Sequence, residues 1–230
     1  QLSRAYIGYA FTRVELLMER AELDGNMQEA DYQRARARRF YEHARGLLQH
    51  AVEVDDGGFA AAVAGDVEGL EGHLASNYPE VDDLSGLYWL GVAWGSLIGM
   101  AGDEPDLVAD LPLAVALMEH VSRVKPAYGQ GLALAFLGGY WCQLPAMVGG
   151  SIEKGSALFE KALELTDRRS HQVQLQYARR CALNAMDGDL YVSLLEEILE
   201  ASDAGNDVRL ANMVARKRAE FYLPGAHELF

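Results

Sequence analysis

Two long stretches of this chain carry no charged side chain at all, 84–102 and 126–152. By length the first is long enough to span a bilayer. Its composition argues against that: glycine recurs at 86, 91, 95, 99 and 102, and the flanks are acidic (Asp82, Asp83, Asp103, Glu104) where a span is usually flanked by Lys or Arg. The second stretch is broken by Pro145 and by Gly149-Gly150. An uncharged helix of this kind belongs in the middle of other helices, where no face meets bulk water. Gly91, Gly95 and Gly99 on the first, and Gly131, Ala135 and Gly139 on the second, then form grooves for a neighbouring backbone.

The rest of the chain fits such a setting. Half of its 230 residues are apolar, only six are proline, and no alternating Val/Ile/Thr runs occur. Helical patterns cover 2–23, 28–54, 59–74, 83–100, 105–124, 127–143, 151–165, 170–186, 190–201 and 208–223, joined by short Gly/Asp/Pro-rich breaks. The expectation is an all-α chain of about ten helices stacked as antiparallel hairpins, a single repeat-type domain over 1–230. A small residue, a bulky one four later and a small or branched one three later recur three times. They are Ala37/Tyr41/Ala44, Ala114/Met118/Val121 and Gly155/Phe159/Ala162, and Pro126 closes the second set. This is the packing signature of the second helix in tetratricopeptide repeats. The triplets are 77 and then 41 residues apart, so the solenoid is a degenerate one.

Charge excludes one class of partner. At −14 overall, the chain repels a phosphate backbone, and nucleic acid is not expected as a ligand. The densest basic run is Arg34, Arg36, Arg38 and Arg39. On a helix Arg34, Arg38 and Arg45 share a face, which reads either as a solvated surface or as a docking patch for an acidic partner. Cys142 and Cys181 are the only cysteines, and their spacing leaves open whether they are core residues or bridged. The chain begins with Gln1, which leaves room for a removed signal segment.

Catalytic patterns are missing: there is no HExxH, GxSxG, P-loop or GxGxxG, and the histidines are scattered. No enzyme activity, metal or cofactor is expected. The aromatics are the candidates for ligand contact. Tyr88, Trp89 and Trp94 point to different sides of the first uncharged helix, and Tyr140 and Trp141 close the second beside the 145–150 loop. Glycine faces beside large rings leave shaped apolar space, with Asn212 and Arg216 on the last helix as its polar end.

Several segments, taken in order, form a set: Gly86-Leu87-Tyr88-Trp89-Leu90 with Trp94-Gly95, Pro126-Ala127-Tyr128 leading to Leu137-Gly138, and Pro145 with Gly149-Gly150-Ser151, Glu153-Lys154 and Phe159-Glu160-Lys161-Ala162-Leu163. Arg209-Leu210-Ala211-Asn212 with Ala215 completes it. The ordered set resembles a known family, the T component (TatT type) of TRAP transporters. Gly155 departs from the repeat, where alanine is usual. The resemblance implies a helical periplasmic lipoprotein, anchored through an N-terminal cysteine that this chain lacks. It implies a homotrimer that binds the solute-binding P component, with a pore or cavity for a hydrophobic small molecule. Contact with the membrane would run through the lipid anchor alone. The alternative reading is a cytoplasmic repeat adaptor that holds a peptide or partner protein in a concave groove.

Overall fold

Helix starts in this chain are written by short polar side chains. Asn26, Asp66, Ser151 and Asp187 each accept a hydrogen bond from a backbone N–H three residues on, satisfying a donor that the first turn cannot. The computed structural model describes residues 1–101, 104–202, 205 and 207–230. Gly102 and Asp103, which close the first uncharged stretch, lie outside the described residues. The chain is 80% helical and has no strand among the described residues. It divides into two compact units, Gln1–Val124 and Lys125–Phe230.

In the first unit α1 (Leu2–Tyr9) runs through a π turn at Ala10–Val14 into α2 (Glu15–Leu23). Then come α3 (Met27–Asp55), α4 (Phe59–Ala64), α5 (Val67–Asn77), α6 (Leu84–Gly99), α7 (Pro105–Ala109) and α8 (Leu111–Val124). Helix α3 packs against α1, α2 and α6, and α8 packs against α5 and α6. The second unit holds α9 (Leu132–Gln143), α10 (Ile152–Leu165), α11 (His171–Tyr177), α12 (Gly188–Glu200) and α13 (Arg209–Tyr222). A π turn at Ala178–Ala182 extends α11. Helix α9 packs on α10, α11 touches both, and α12 and α13 close on α11. Successive helices lie against one another in a solenoid-like way within each unit.

All three repeat triplets fall on helices of this scaffold, on α3, α8 and α10, and every one of their residues is buried. Sequence periodicity misses the interruptions. The 59–74 pattern is two helices parted at Gly65-Asp66, and 105–124 is two parted at Asp110. The 127–143 helix begins five residues late, because Gly129, Gln130 and Gly131 have φ of 59°, 61° and 77°.

Neither glycine groove has the expected form. On α6 a side chain at Gly91 would meet only the flexible end of Met118, 2.9 Å from Cε, and Gly99 faces open space. Ser85, Trp89, Val92 and Ser96 keep one strip of α6 half-buried, so that helix is not sheltered on every side. Gly131 is not helical at all. The close approach is made instead by Gly138 of α9 and Gly155 of α10. A Cβ on Gly138 would sit 2.7 Å from the Phe159 ring, and one on Gly155 would sit 2.6 Å from the Gly138 carbonyl oxygen and overlap Cys142 Sγ. Alanine is therefore excluded at 155, which explains the departure from the repeat. Directly beside this crossing, Cys142 and Cys181 form a disulfide, with Cα atoms 5.1 Å apart, that ties α9 to the π turn after α11.

The bridge closes a loop of 39 residues, and by chain entropy it contributes about 4 kcal/mol. Replacing both cysteines with serine is expected to lower unfolding free energy by about 3–5 kcal/mol in urea titration. A midpoint equal to wild type would show that the bridge does not constrain the unfolded chain.

Candidate functional site

In the first unit the three aromatics of α6 have separate surroundings. Trp94 is only 1% exposed. Its Nε1 donates to Asp110 Oδ2 at 3.2 Å, and the Arg45 guanidinium lies 4.0 Å from its ring centre. Arg45 also pairs with Asp110 at 3.3 Å, and burial pulls its pKa below the usual arginine value against that pairing. Asp110 is thus fixed where α7 ends and α8 begins. Tyr88 is buried and packs edge-on to the half-buried Trp89 at 5.2 Å. Arg4 lies over the Trp89 ring at 5.2 Å and donates to Ser85 Oγ at 2.7 Å. Arg4, Ser85 and Trp89 border an open hollow of about 490 Å³, which Leu2 and Leu47 also line.

In the second unit Tyr140 and Trp141 stack edge-on at 5.2 Å, both half-buried, with Lys154 Nζ 3.2 Å from the Trp141 ring centre. The adjoining turn presents Met147, 91% exposed, and Val148 to solvent. Asn212 has a different setting. Its Oδ1 accepts from the His171 backbone N–H at 3.0 Å and its Nδ2 donates to the Arg169 carbonyl at 2.8 Å, so the amide clamps α13 to the start of α11. Arg216 is exposed and reaches the Ala201 carbonyl at 3.4 Å. Asn212 sits at the end of the unit where Gly131 packs on Ala162 and Thr166, whereas Trp141 abuts Ser151 at the other end. Roughly 15 Å of α9 separates them.

Two polar networks leave no trace in sequence spacing. Asp56 accepts from Gly58 N–H at 2.9 Å and from the Tyr78 hydroxyl at 2.9 Å, and contacts His73 Nε2 at 2.6 Å. Burial alone would raise the Asp56 pKa, but these bonds hold it below the usual carboxylate range. His120 Nε2 donates to the Tyr78 carbonyl at 2.8 Å, which leaves Nδ1 to accept from Arg123 at 3.4 Å. In the second unit Arg168 holds Glu197 with two bonds of 2.6 and 2.5 Å.

Arg34, Arg38 and Arg45 are all paired within the chain. Arg34 pairs with Glu22 at 2.5 Å, Arg38 with Glu42 at 2.8 Å and with Glu104, and Arg45 with Asp110. Among the described residues no cluster of His, Cys, Asp and Glu could hold a metal ion, and no helix is long and apolar enough to cross a membrane.

Comparison with known proteins places the chain. The family model described as TRAP transporter T-component matches residues 1–230, the whole chain. The chain belongs to that family, and its role lies in a TRAP transport system. A search of curated proteins returned no match.

Each unit buries one histidine, His120 and His171, and burial pulls both below the usual value of 6.5. The unfolded chain therefore binds more protons near and below that value, so stability is full above about pH 6.5 and falls as pH drops through it. Denaturant midpoints at pH 7.5 and 5.5, set by the ordinary histidine range, should show this loss. His120→Gln should reduce it, leaving the His171 share; an unchanged pH slope in the variant would assign the loss to other groups.

Proposed function

From membership of the TRAP transporter T-component family, we propose that this chain is a non-catalytic periplasmic accessory that docks the solute-binding P component. The whole-chain family match carries the reading. The scaffold supports it: a helical repeat stack offers a broad rigid surface for a protein partner. The Cys142–Cys181 bridge supports an oxidising compartment over the cytosol of the adaptor alternative. We further propose that the working form is a trimer held to the membrane by a lipid on a longer precursor.

A small apolar ligand is proposed as well, with the half-buried Tyr140 and Trp141 of the second unit as its contacts. Tyr140 and Trp141 of the second unit, and Trp89 of the first, present ring surface to solvent, whereas Trp94 and Asn212 are occupied by protein groups. Exposed ring faces of this kind favour hydrophobic over charged small molecules.

Two measurements test these statements. The purified P component of the same transporter should be retained by the immobilised chain, and absence of retention would end the accessory reading. Titration with the neutral dye N-phenylnaphthylamine should give saturable fluorescence that weakens in Trp141→Ala. Equal titration curves for variant and wild type would remove Trp141 from any ligand site.

A further inference from the structure

One face of the first unit runs against the charge of the whole chain. Formal net charge is −14. Yet Tyr32, Arg36, Arg39, Phe40, His43 and Leu47 follow a helical spacing along α3, about a third of a turn round from its buried Ala37, Tyr41 and Ala44. From Tyr32 to Leu47 that strip holds no carboxylate; Glu29, a turn earlier on the same row, accepts from Gln33 at 2.6 Å. The first fourteen residues, including all of α1, contain Arg4 and Arg13 and no acid. Ring contacts join the two strips: Tyr9 to Phe40 at 5.2 Å, Tyr6 to Phe40 at 5.9 Å and Tyr6 to His43 at 5.8 Å. Arg36 extends the surface, 5.7 Å from the Tyr32 ring. Tyr9, Tyr32 and Leu47 are 46%, 59% and 42% exposed.

The arginines here differ from Arg34, Arg38 and Arg45 a turn away, which are spent on internal acids. Arg13 and Arg39 have no acidic partner among the described residues. Every cation of the face is arginine, and the whole of 1–124 contains no lysine. Exposed tyrosine and arginine with lysine absent is the composition of protein–protein interface centres. The guanidinium fork matches a carboxylate in two parallel bonds, whereas a diffuse lipid surface is served as well by lysine. The remaining surface, acidic overall, disfavours an approach to anionic lipid.

We propose that this α1–α3 face is the docking surface for an acidic, carboxylate-bearing patch on the solute-binding protein. The assignment rests on the partner reading given under Proposed function. It requires that binding be salt-sensitive and that the outward arginines, not Arg34 or Arg38, carry it.

The test is calorimetric titration of the full chain with the purified P component at low and high salt, using wild type, Arg36→Glu/Arg39→Glu and Tyr32→Ala. Both arginines lie outside the core, so helicity and melting should match wild type, and Arg36→Gln/Arg39→Gln provides a milder second variant. The expected result is roughly tenfold or greater weakening in the double glutamate variant, a smaller loss in the glutamine variant, and weaker wild-type binding at high salt. Unchanged affinity in both double variants, with wild type binding, would overturn the face and leave the accessory reading intact. No wild-type binding at either salt would overturn both. Two further outcomes would also overturn the assignment. One is arginine-dependent binding to phosphatidylglycerol vesicles without binding to the protein. The other is loss of self-association in the glutamate variant while P-component binding stays unchanged.

Discussion

Helices α9 and α10 cross so closely that the backbone at Gly155 faces the carbonyl of Gly138 with no room for a methyl group between them. Everything else in the second unit is arranged around that contact. Phe159, one turn along α10, covers Gly138 and stacks on Tyr177 of α11 at 4.8 Å. The disulfide reaches from the end of α9 to the π turn beyond α11, with Ser156 Oγ 3.3 Å from Cys181 Sγ. Three helices are thereby locked at one end of the unit. The first unit obtains its packing with alanines instead, Ala37 and Ala44 on α3 and Ala114 on α8, all fully buried. Small residues at crossings let helices share dispersion contacts along their length, and that sets the spacing of the stack.

Part of this is legible in the sequence, because repeat triplets are local signals. Phe159 and Ala162 mark the buried face of α10. What could not be read depends on residues distant in sequence. Arg34, Arg38 and Arg45 share a helical face, but nothing local reveals that Glu22, Glu104 and Asp110 wait for them. Glycine spacing on α6 and α9 likewise gives a face without giving the neighbour. Gly91 meets a flexible methionine, while Gly138, which the periodic reading passed over, meets a backbone. The state of the cysteines was undetermined for the same reason, since their pairing follows from the α9–α11 geometry.

The polar groups of the interior are largely committed to holding helices together. Asn212 ties α13 to α11, and Asp110 fixes Trp94 and Arg45 at the α7–α8 junction. Buried polar atoms used this way are not displayed to a partner. Recognition is then left to what the surface displays. That includes the tyrosines and arginines of α1 and α3, and the Met147 turn beside Trp141. Rigid scaffolds that present aromatic and arginine side chains lose little conformational entropy on binding.

Glycine-to-alanine exchange tests the role of the α9–α10 crossing most directly, because its sign depends on the neighbours. Gly72 lies within α5, exposed, with nothing within 4 Å of a Cβ there. Gly72→Ala should raise unfolding free energy by up to about 1 kcal/mol through helix propensity alone. Gly155→Ala should lower it by about 1–3 kcal/mol, since the added methyl meets the Gly138 carbonyl and Cys142. Thermal or urea unfolding of the two variants beside wild type gives both values. Opposite signs are the predicted result; a stabilised Gly155→Ala would contradict the close crossing from which the second unit is built.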